Sequence, residues 1–191
     1  MYLFFDTETT GFPARWSAPC TDTANWPRLV QIAWVRCDAD GQRLDGETHL
    51  VRPLGFSIPK DAERVHGIST ARALLEGDAL GEVLDAFSAA LARSEVVVAH
   101  NIDFDECVVG AEFVREGKAT DLHRMTKICT MKASTDYCRL PGRSGFKYPS
   151  LSELYFTLFR RPLDEAHRAE ADVNALVECF FELKRRGVIR P

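Results

Sequence analysis

Near the N-terminus an apolar run ends in FFDTETTG, residues 4–11. Asp6 and Glu8 lie two apart, so on a strand both carboxylates project from one face, roughly 6.5–7 Å apart along the chain. Two bare charges in an apolar neighbourhood repel each other and lose hydration, which is costly without a counter-charge. The pair therefore asks for a cation that the segment does not carry. A plainer reading makes this a polar strand end, with Thr9, Thr10 and Gly11 turning the chain into solvent. That accounts for Gly11, but not for two acids sharing a face beside Phe4 and Phe5.

Two later segments repeat the theme. In VVVAHNIDFDE, residues 96–106, an apolar strand runs straight into Asp103 and Asp105. Asp103, with Glu106 three residues on, has the spacing of a capping box for the helix that follows. Asp105 is not needed for that cap, although acids also favour first turns through the helix dipole. His100 and Asn101 read as residues that shape the turn. In AHRAEADVNALVECFFEL, residues 166–183, Asp172, Leu176, Cys179 and Leu183 fall on one helical stripe. Asp172 thus heads a face that is otherwise apolar and calls for a partner. His167, five residues earlier, belongs in the loop before that helix.

Four carboxylates and one imidazole at strand ends and a helix start suit a site where loops converge on an α/β sheet. Oxygen donors without a thiolate cluster favour Mg²⁺ or Mn²⁺ over zinc. Two such ions about 3.5–4 Å apart can clamp the attacking and leaving oxygens of a phosphoryl displacement. On that reading the acids tolerate each other because divalent ions lie between them.

The elements that must position these groups follow from periodicity and turn signals. Strands are expected at 2–7, 29–37 and 48–52, with Asp40-Gly41 as the turn before the third. Leu80, Val83, Leu84, Phe87 and Leu91 have helical spacing. A buried strand in EVVVAHN, a helix over 103–116 and a strand over 128–131 come next. The last long helix, 169–186, stops at Gly187 with Lys184, Arg185 and Arg186 at its negative end. Three strands first and alternating elements afterwards imply an α/β domain with a mixed sheet. Two stretches lack periodicity: 12–27, with three prolines and two tryptophans, and 133–149, which holds Arg139, Arg143 and Lys147.

At 191 residues, with 46% apolar and 27% charged residues, the expectation is one globular domain spanning 1–191. No apolar run is long enough for a membrane span, and no secretory signal is legible, so the expected address is cytoplasmic. Six scattered cysteines with no CxxC pair suit reduced, packing thiols better than a disulfide framework or zinc site. A net charge of −4 gives no global field to draw in nucleic acid, which would have to be gripped locally or through metal.

FDTETTG, AHNIDFD and AHRAEADVNA resemble, in order, the three motifs of the DnaQ-like exonucleases, also called the RNase T or DEDDh family, to which proofreading subunits of bacterial replicative DNA polymerases belong. RVHGIS and YPSLSELY also resemble family segments. The resemblance implies an RNase H-like fold, a five-stranded mixed sheet flanked by helices. It implies that Asp6, Glu8, Asp105 and Asp172 bind two divalent cations, Mg²⁺ or Mn²⁺, and that His167 is the general base. Asp6 would bridge both ions, Glu8 and Asp172 would help hold the one carrying the nucleophilic water, and Asp105 would support the other. Thr9, His66 and Phe104 would border the pocket for the terminal nucleotide. The implied reaction is hydrolysis of the 3′-terminal phosphodiester of DNA or RNA, releasing nucleoside 5′-monophosphates. Implied partners are single-stranded nucleic acid or the 3′ end of a duplex, with a DNA polymerase as a candidate protein partner. An RNase H-type endonuclease and a catalytically inactive binding or scaffold module are the alternatives; inactive relatives generally lose an acid, and none is missing here. Residues 12–27 exceed the compact family pattern and are expected to form part of the substrate wall.

Overall fold

The computed structural model describes residues 1–163 and 169–190. The chain opens with three antiparallel strands, β1 (Tyr2–Thr9), β2 (Leu29–Cys37) and β3 (Arg43–Leu50). Short helices α1 (Lys60–His66) and α2 (Thr70–Glu76) and the longer α3 (Leu80–Leu91) lead to β4 (Val96–Ala99) and α4 (Ile102–Arg115). Then come β5 (Thr126–Cys129), α5 (Thr130–Cys138), α6 (Leu151–Phe159) and α7 (Ala169–Arg185). The sheet order is β3-β2-β1-β4-β5, with β4 and β5 parallel to β1. This is the expected five-stranded mixed sheet with helices on both faces.

Alternation along the strands divides the interior into two layers. Leu3 and Phe5 of β1 and Ile32 and Trp34 of β2 pack with α3 and α4 through Phe87, Val108 and Phe113. Tyr2, Phe4, Ala33 and Val35 pack against α6 and α7, where Phe180 lies 5.1 Å from the Phe4 ring. Among the described residues no helix is long and apolar enough to cross a membrane.

Four local expectations are corrected. The third strand begins at Arg43 rather than Thr48, because the tight turn at Gly41 (φ 91°) starts the hairpin at once. Its mostly polar, exposed sequence at the sheet edge leaves no apolar alternation to read. The stretch from 133 is helical up to Cys138, since the buried face of α5 is made by Thr130 and Ser134 rather than by apolar residues. Asp103 does not cap α4. The helix starts from Asn101 in the left-handed region (φ 74°) without a side-chain cap, while Asp103 pairs with Lys132 and Glu106 with Lys127. Finally, Cys20 and Cys107 form a disulfide across 87 residues, a separation no local spacing reveals; the other four cysteines are free.

Candidate metal and active site

The site exists because β1 outruns its neighbour. β1 pairs with β2 along its length, from Tyr2 opposite Cys37 to Thr9 opposite Leu29. Its parallel pairing with β4 ends at Phe4 opposite Val98. Asp6 and Glu8 fall in the stretch beyond, where one side of the strand is open for side chains from loops and helix starts. Alternation sends both acids to the α7 face of the sheet, shared with Tyr2 and Phe4.

Asp172 meets them there. It stands in the first turn of α7, and the structure buries Leu176, Cys179 and Leu183 on the stripe below it. One carboxylate oxygen each from Asp6, Glu8 and Asp172 lies within 4.8 Å of the others. Asp105 comes from the opposite layer. Thr7, which alternation turns towards α4, donates its hydroxyl to Asp105 Oδ1 at 2.7 Å. Asp105 thus stands beside the three-acid group rather than within it. Thr7 is a positioning residue that spacing alone did not single out, although its place between the two acids on the other face of the strand was a signal.

Electrostatics mark these groups off from ordinary acids. Burial, then Asp105, Asp172 and Glu8, push the Asp6 carboxyl well above its usual range. Burial, followed by Asp172 and Asp105, pushes Glu8 up to about 8. Burial raises Asp105 to about 7, against the hydrogen bonds from Thr7 and from backbone. Among the described residues no lysine or arginine opposes these three shifts. A buried, all-oxygen donor set with unbalanced negative charge fits a hard divalent cation. Asp6, Glu8 and Asp172 open on a cavity of about 190 Å³ that Thr7, His100, Ser150 and Ser152 also line.

His100 holds one wall of that cavity. Its Nε2 donates to the Pro149 carbonyl at 2.9 Å, so Nδ1, 3.0 Å from Thr130 Oγ1, is the accepting nitrogen. Burial lowers its pKa to about 4, which keeps the ring neutral. Held by both ring nitrogens, it shapes the wall of the site. Pro149 leads directly into Ser150, the N-cap of α6, which forms a capping box with Glu153.

The other candidates are placed as follows. Thr9 is buried at the end of β1, and its hydroxyl donates to the Gly11 carbonyl at 2.7 Å, closing the turn. His66 is buried at the end of α1, and its Nδ1 accepts from the Ile68 N–H at 3.1 Å. Its Nε2 completes no hydrogen bond among the described residues. Burial depresses its pKa, against the pull of the Thr9 backbone. His66 lines a polar cavity of about 520 Å³ with Gln31, Thr48, Arg72, Glu170 and Asn174, adjoining the start of α7. Phe104 lines neither cavity; half-buried, it packs against aromatic rings of the 12–27 segment. Of the loop cations, Lys147 pairs with Glu153. His167 lies outside the described residues.

The sequence matches the RNase T family model, described as exonuclease, over residues 3–180. The chain belongs to this exonuclease family. Solved structures agree with the fold. E. coli Exonuclease I in complex with a dA16 oligonucleotide superposes with a TM-score of 0.76 at 20% identity, covering 97% of this chain and 41% of that one. Exonuclease X in complex with 5′ overhanging duplex DNA gives 0.62 at 27% identity, covering 98% and 93%. The chain spans about two fifths of the length of the Exonuclease I it matches. No curated protein matches the sequence.

Proposed function

We propose that this exonuclease domain hydrolyses the 3′-terminal phosphodiester of DNA, or of RNA, and releases nucleoside 5′-monophosphates. The observation that carries this reading is the convergence of Asp6, Glu8 and Asp172 on one point, with Asp105 beside them. Membership of an exonuclease family supports it. So do the titles of similar structures, which describe Exonuclease I with single strands and Exonuclease X with an overhanging duplex.

The four acids would hold two divalent cations, Mg²⁺ or Mn²⁺. When bound, such ions polarise the phosphate and ease deprotonation of the attacking water. The protein's own groups do the rest. As the family resemblance implies, Asp6 would help hold both ions, Glu8 and Asp172 the one that activates the attacking water, and Asp105 the other. His167 would take the proton from that water, a task that suits an imidazole whose unperturbed pKa lies near 6.5. Thr9, His66 and Phe104 would border the terminal nucleotide.

The decisive experiment follows mononucleotide release from a 3′-labelled single strand with Mn²⁺ and with EDTA. Release with Mn²⁺ alone, abolished by blocking the 3′ end, is expected. Cleavage of a circular strand would instead identify an RNase H-type endonuclease. No turnover on any substrate would favour a binding or scaffold module. A panel of single-stranded DNA, single-stranded RNA and mismatched duplex ends separates the substrate classes, and a pull-down with a replicative polymerase tests the protein partner.

A further inference from the structure

The disulfide joins the least regular part of the chain to the helix that carries Asp105. Cys20 lies in the 12–27 segment, which forms no helix or strand, and Cys107 lies on α4 two residues after that acid. Both cysteines are half-buried. Cys20 lines a cavity of about 380 Å³ whose walls include Phe113, Val114 and Leu122. Gly110, one turn beyond Cys107, lines it too and carries no side chain to cover Cys20, where even a Cβ would stand 3.4 Å from the Cys20 Cβ. A disulfide within reach of solvent can be attacked in the folded protein, whereas one sealed in a core waits for unfolding.

The segment does not depend on that bond alone for its place. The Arg115 guanidinium, at the far end of α4, donates to the carbonyls of Thr23, of Trp26 at 2.7 Å and of Pro27 at 3.4 Å. Trp26, buried, donates its indole N–H to the Pro19 carbonyl at 3.0 Å. With the bond open, these contacts keep Cys20 near its partner, so closure stays a local event. Three of the four free thiols compete poorly for either sulfur, because the thiolate is the attacking form. Burial pushes the Cys37 thiol up to about 11 and raises those of Cys138 and Cys179 as well.

We propose that the Cys20–Cys107 pair is a thiol–disulfide exchange site, opened in the folded protein by a dithiol, and that opening frees residues 16–21 from α4 while 23–27 stay attached. A thiolate of the dithiol attacks the Cys20 sulfur, and the S–S bond breaks with its electron pair on Cys107, which takes up a proton. The second thiol of the reagent then displaces Cys20 from the mixed disulfide. Two electrons pass to the protein, and the reagent becomes a disulfide. What the bond governs is the packing on Phe104, whose ring lies 5.8 Å from that of Trp16. Val108, Val109 and Phe113 keep α4 itself in the core, so Asp105 stays in place. The effect on hydrolysis rests on the exonuclease reading; the exchange chemistry does not.

Dithiothreitol under native conditions is the probe, with thiols counted by alkylation and mass spectrometry. Four free thiols before reduction and all six cysteines free afterwards are expected. The rate should be proportional to reagent and unaffected by urea below the unfolding transition. A rate that climbs steeply with such urea would make the bond a staple broken only on unfolding and overturn the proposal, as would six free thiols at the start. Reduction should speed tryptic cleavage between Arg15 and Trp16 about tenfold. The double variant Cys20→Ser, Cys107→Ser should be cut at the reduced rate with or without dithiothreitol. Equal cleavage of oxidised and reduced wild type would mean that nothing is released, which refutes the switch. With Mn²⁺ and a 3′-labelled single strand, after removal of the reagent, reduction should raise KM about two- to threefold and leave kcat within about twofold. A fall in kcat alone would show that α4 moves instead of the segment and refute the release. If neither form hydrolyses anything while reduction and cleavage behave as expected, the exonuclease reading fails and the exchange site stands.

Discussion

Glu8 and Phe12 are four residues apart, yet they belong to regions built in opposite ways. Around Glu8, ionisable groups are buried close together and each raises the pKa of the next. Around Phe12, apolar rings stand in solvent while Arg115 and Asn25 bond backbone groups of the same segment. Each region inverts the usual rule of apolar inside and charged outside, and each is held in its inverted state by the same helix. α4 supplies Asp105 to one, and Phe104, Cys107 and Arg115 to the other. Buried oxygen donors that raise one another's pKa suit a divalent cation, whereas exposed rings suit an apolar contact.

If that parallel is right, relieving the acid site should stabilise the protein while destroying its activity. Asp6→Asn removes a carboxyl that, once ionised, faces three other acids. We expect turnover to fall at least about 10³-fold, the loss of several kcal/mol of transition-state stabilisation. In EDTA above pH 8, where these carboxyls ionise, the melting temperature should rise by about 2–4 °C for each kcal/mol of repulsion removed. Calorimetry with and without EDTA checks this, and a variant that loses both activity and stability would mark Asp6 as merely structural. Asp172→Ala should lose turnover to the same degree and weaken metal binding.

His167→Ala separates the base from the metal ligands. A fall in turnover of about 10²–10⁴-fold is expected, with Mn²⁺ affinity by titration calorimetry little changed. A near-wild-type rate at neutral pH would remove His167 from the mechanism.

The metal-free protein should also betray its acid site through pH. Glu8 moves from 4.5 to about 8 on folding, and Asp105 from 3.8 to about 7. A carboxyl whose folded pKa is the higher one takes up a proton on folding. Stability is then greatest below the unfolded value and declines as pH climbs towards the folded one. In EDTA the melting temperature should therefore fall between pH 5 and pH 8. Glu182, held near 2 by Arg185 and Arg186, acts in the opposite sense but only below this window. Mn²⁺ should raise the melting temperature more at pH 8 than at pH 5, because at the higher pH it displaces fewer protons. Equal shifts at both values would mean that the acids do not share a cation.

The two regions differ as sharply in how far their sequences disclosed them. Asp6, Glu8 and Asp172 were legible because strand and helix periodicities place each on a buried face, and a charge on a buried face is conspicuous. The mixed five-stranded sheet followed from element order for the same reason. Asp105 was visible only as an acid with no capping duty, and its true neighbour, Thr7, lies 98 residues away. α5 escaped because its buried residues are Thr130 and Ser134, and β3 because an exposed edge strand needs no apolar alternation. The 12–27 segment was opaque throughout. Its order comes from carbonyls accepting from Arg115 and from a thiol 87 positions away, contacts that leave no periodic trace.

That opacity makes the disulfide the subtlest place to test the comparison. If rigidity is what the segment contributes, the Cys20–Cys107 bridge and Arg115 are partly redundant, and losing one should loosen the segment without dismantling it. For the double variant Cys20→Ser, Cys107→Ser we expect a two- to threefold loss of affinity for a single strand in EDTA. Reduction of the wild type by a dithiol, which becomes oxidised to its own disulfide as the protein gains two thiols, should reproduce the same pattern. Arg115→Met should cost more, because it strips charge-assisted donors from three backbone carbonyls at once. Should both variants instead lose turnover at saturating substrate, α4 itself has shifted. The segment would then matter as a brace for Asp105 rather than as a wall for the substrate.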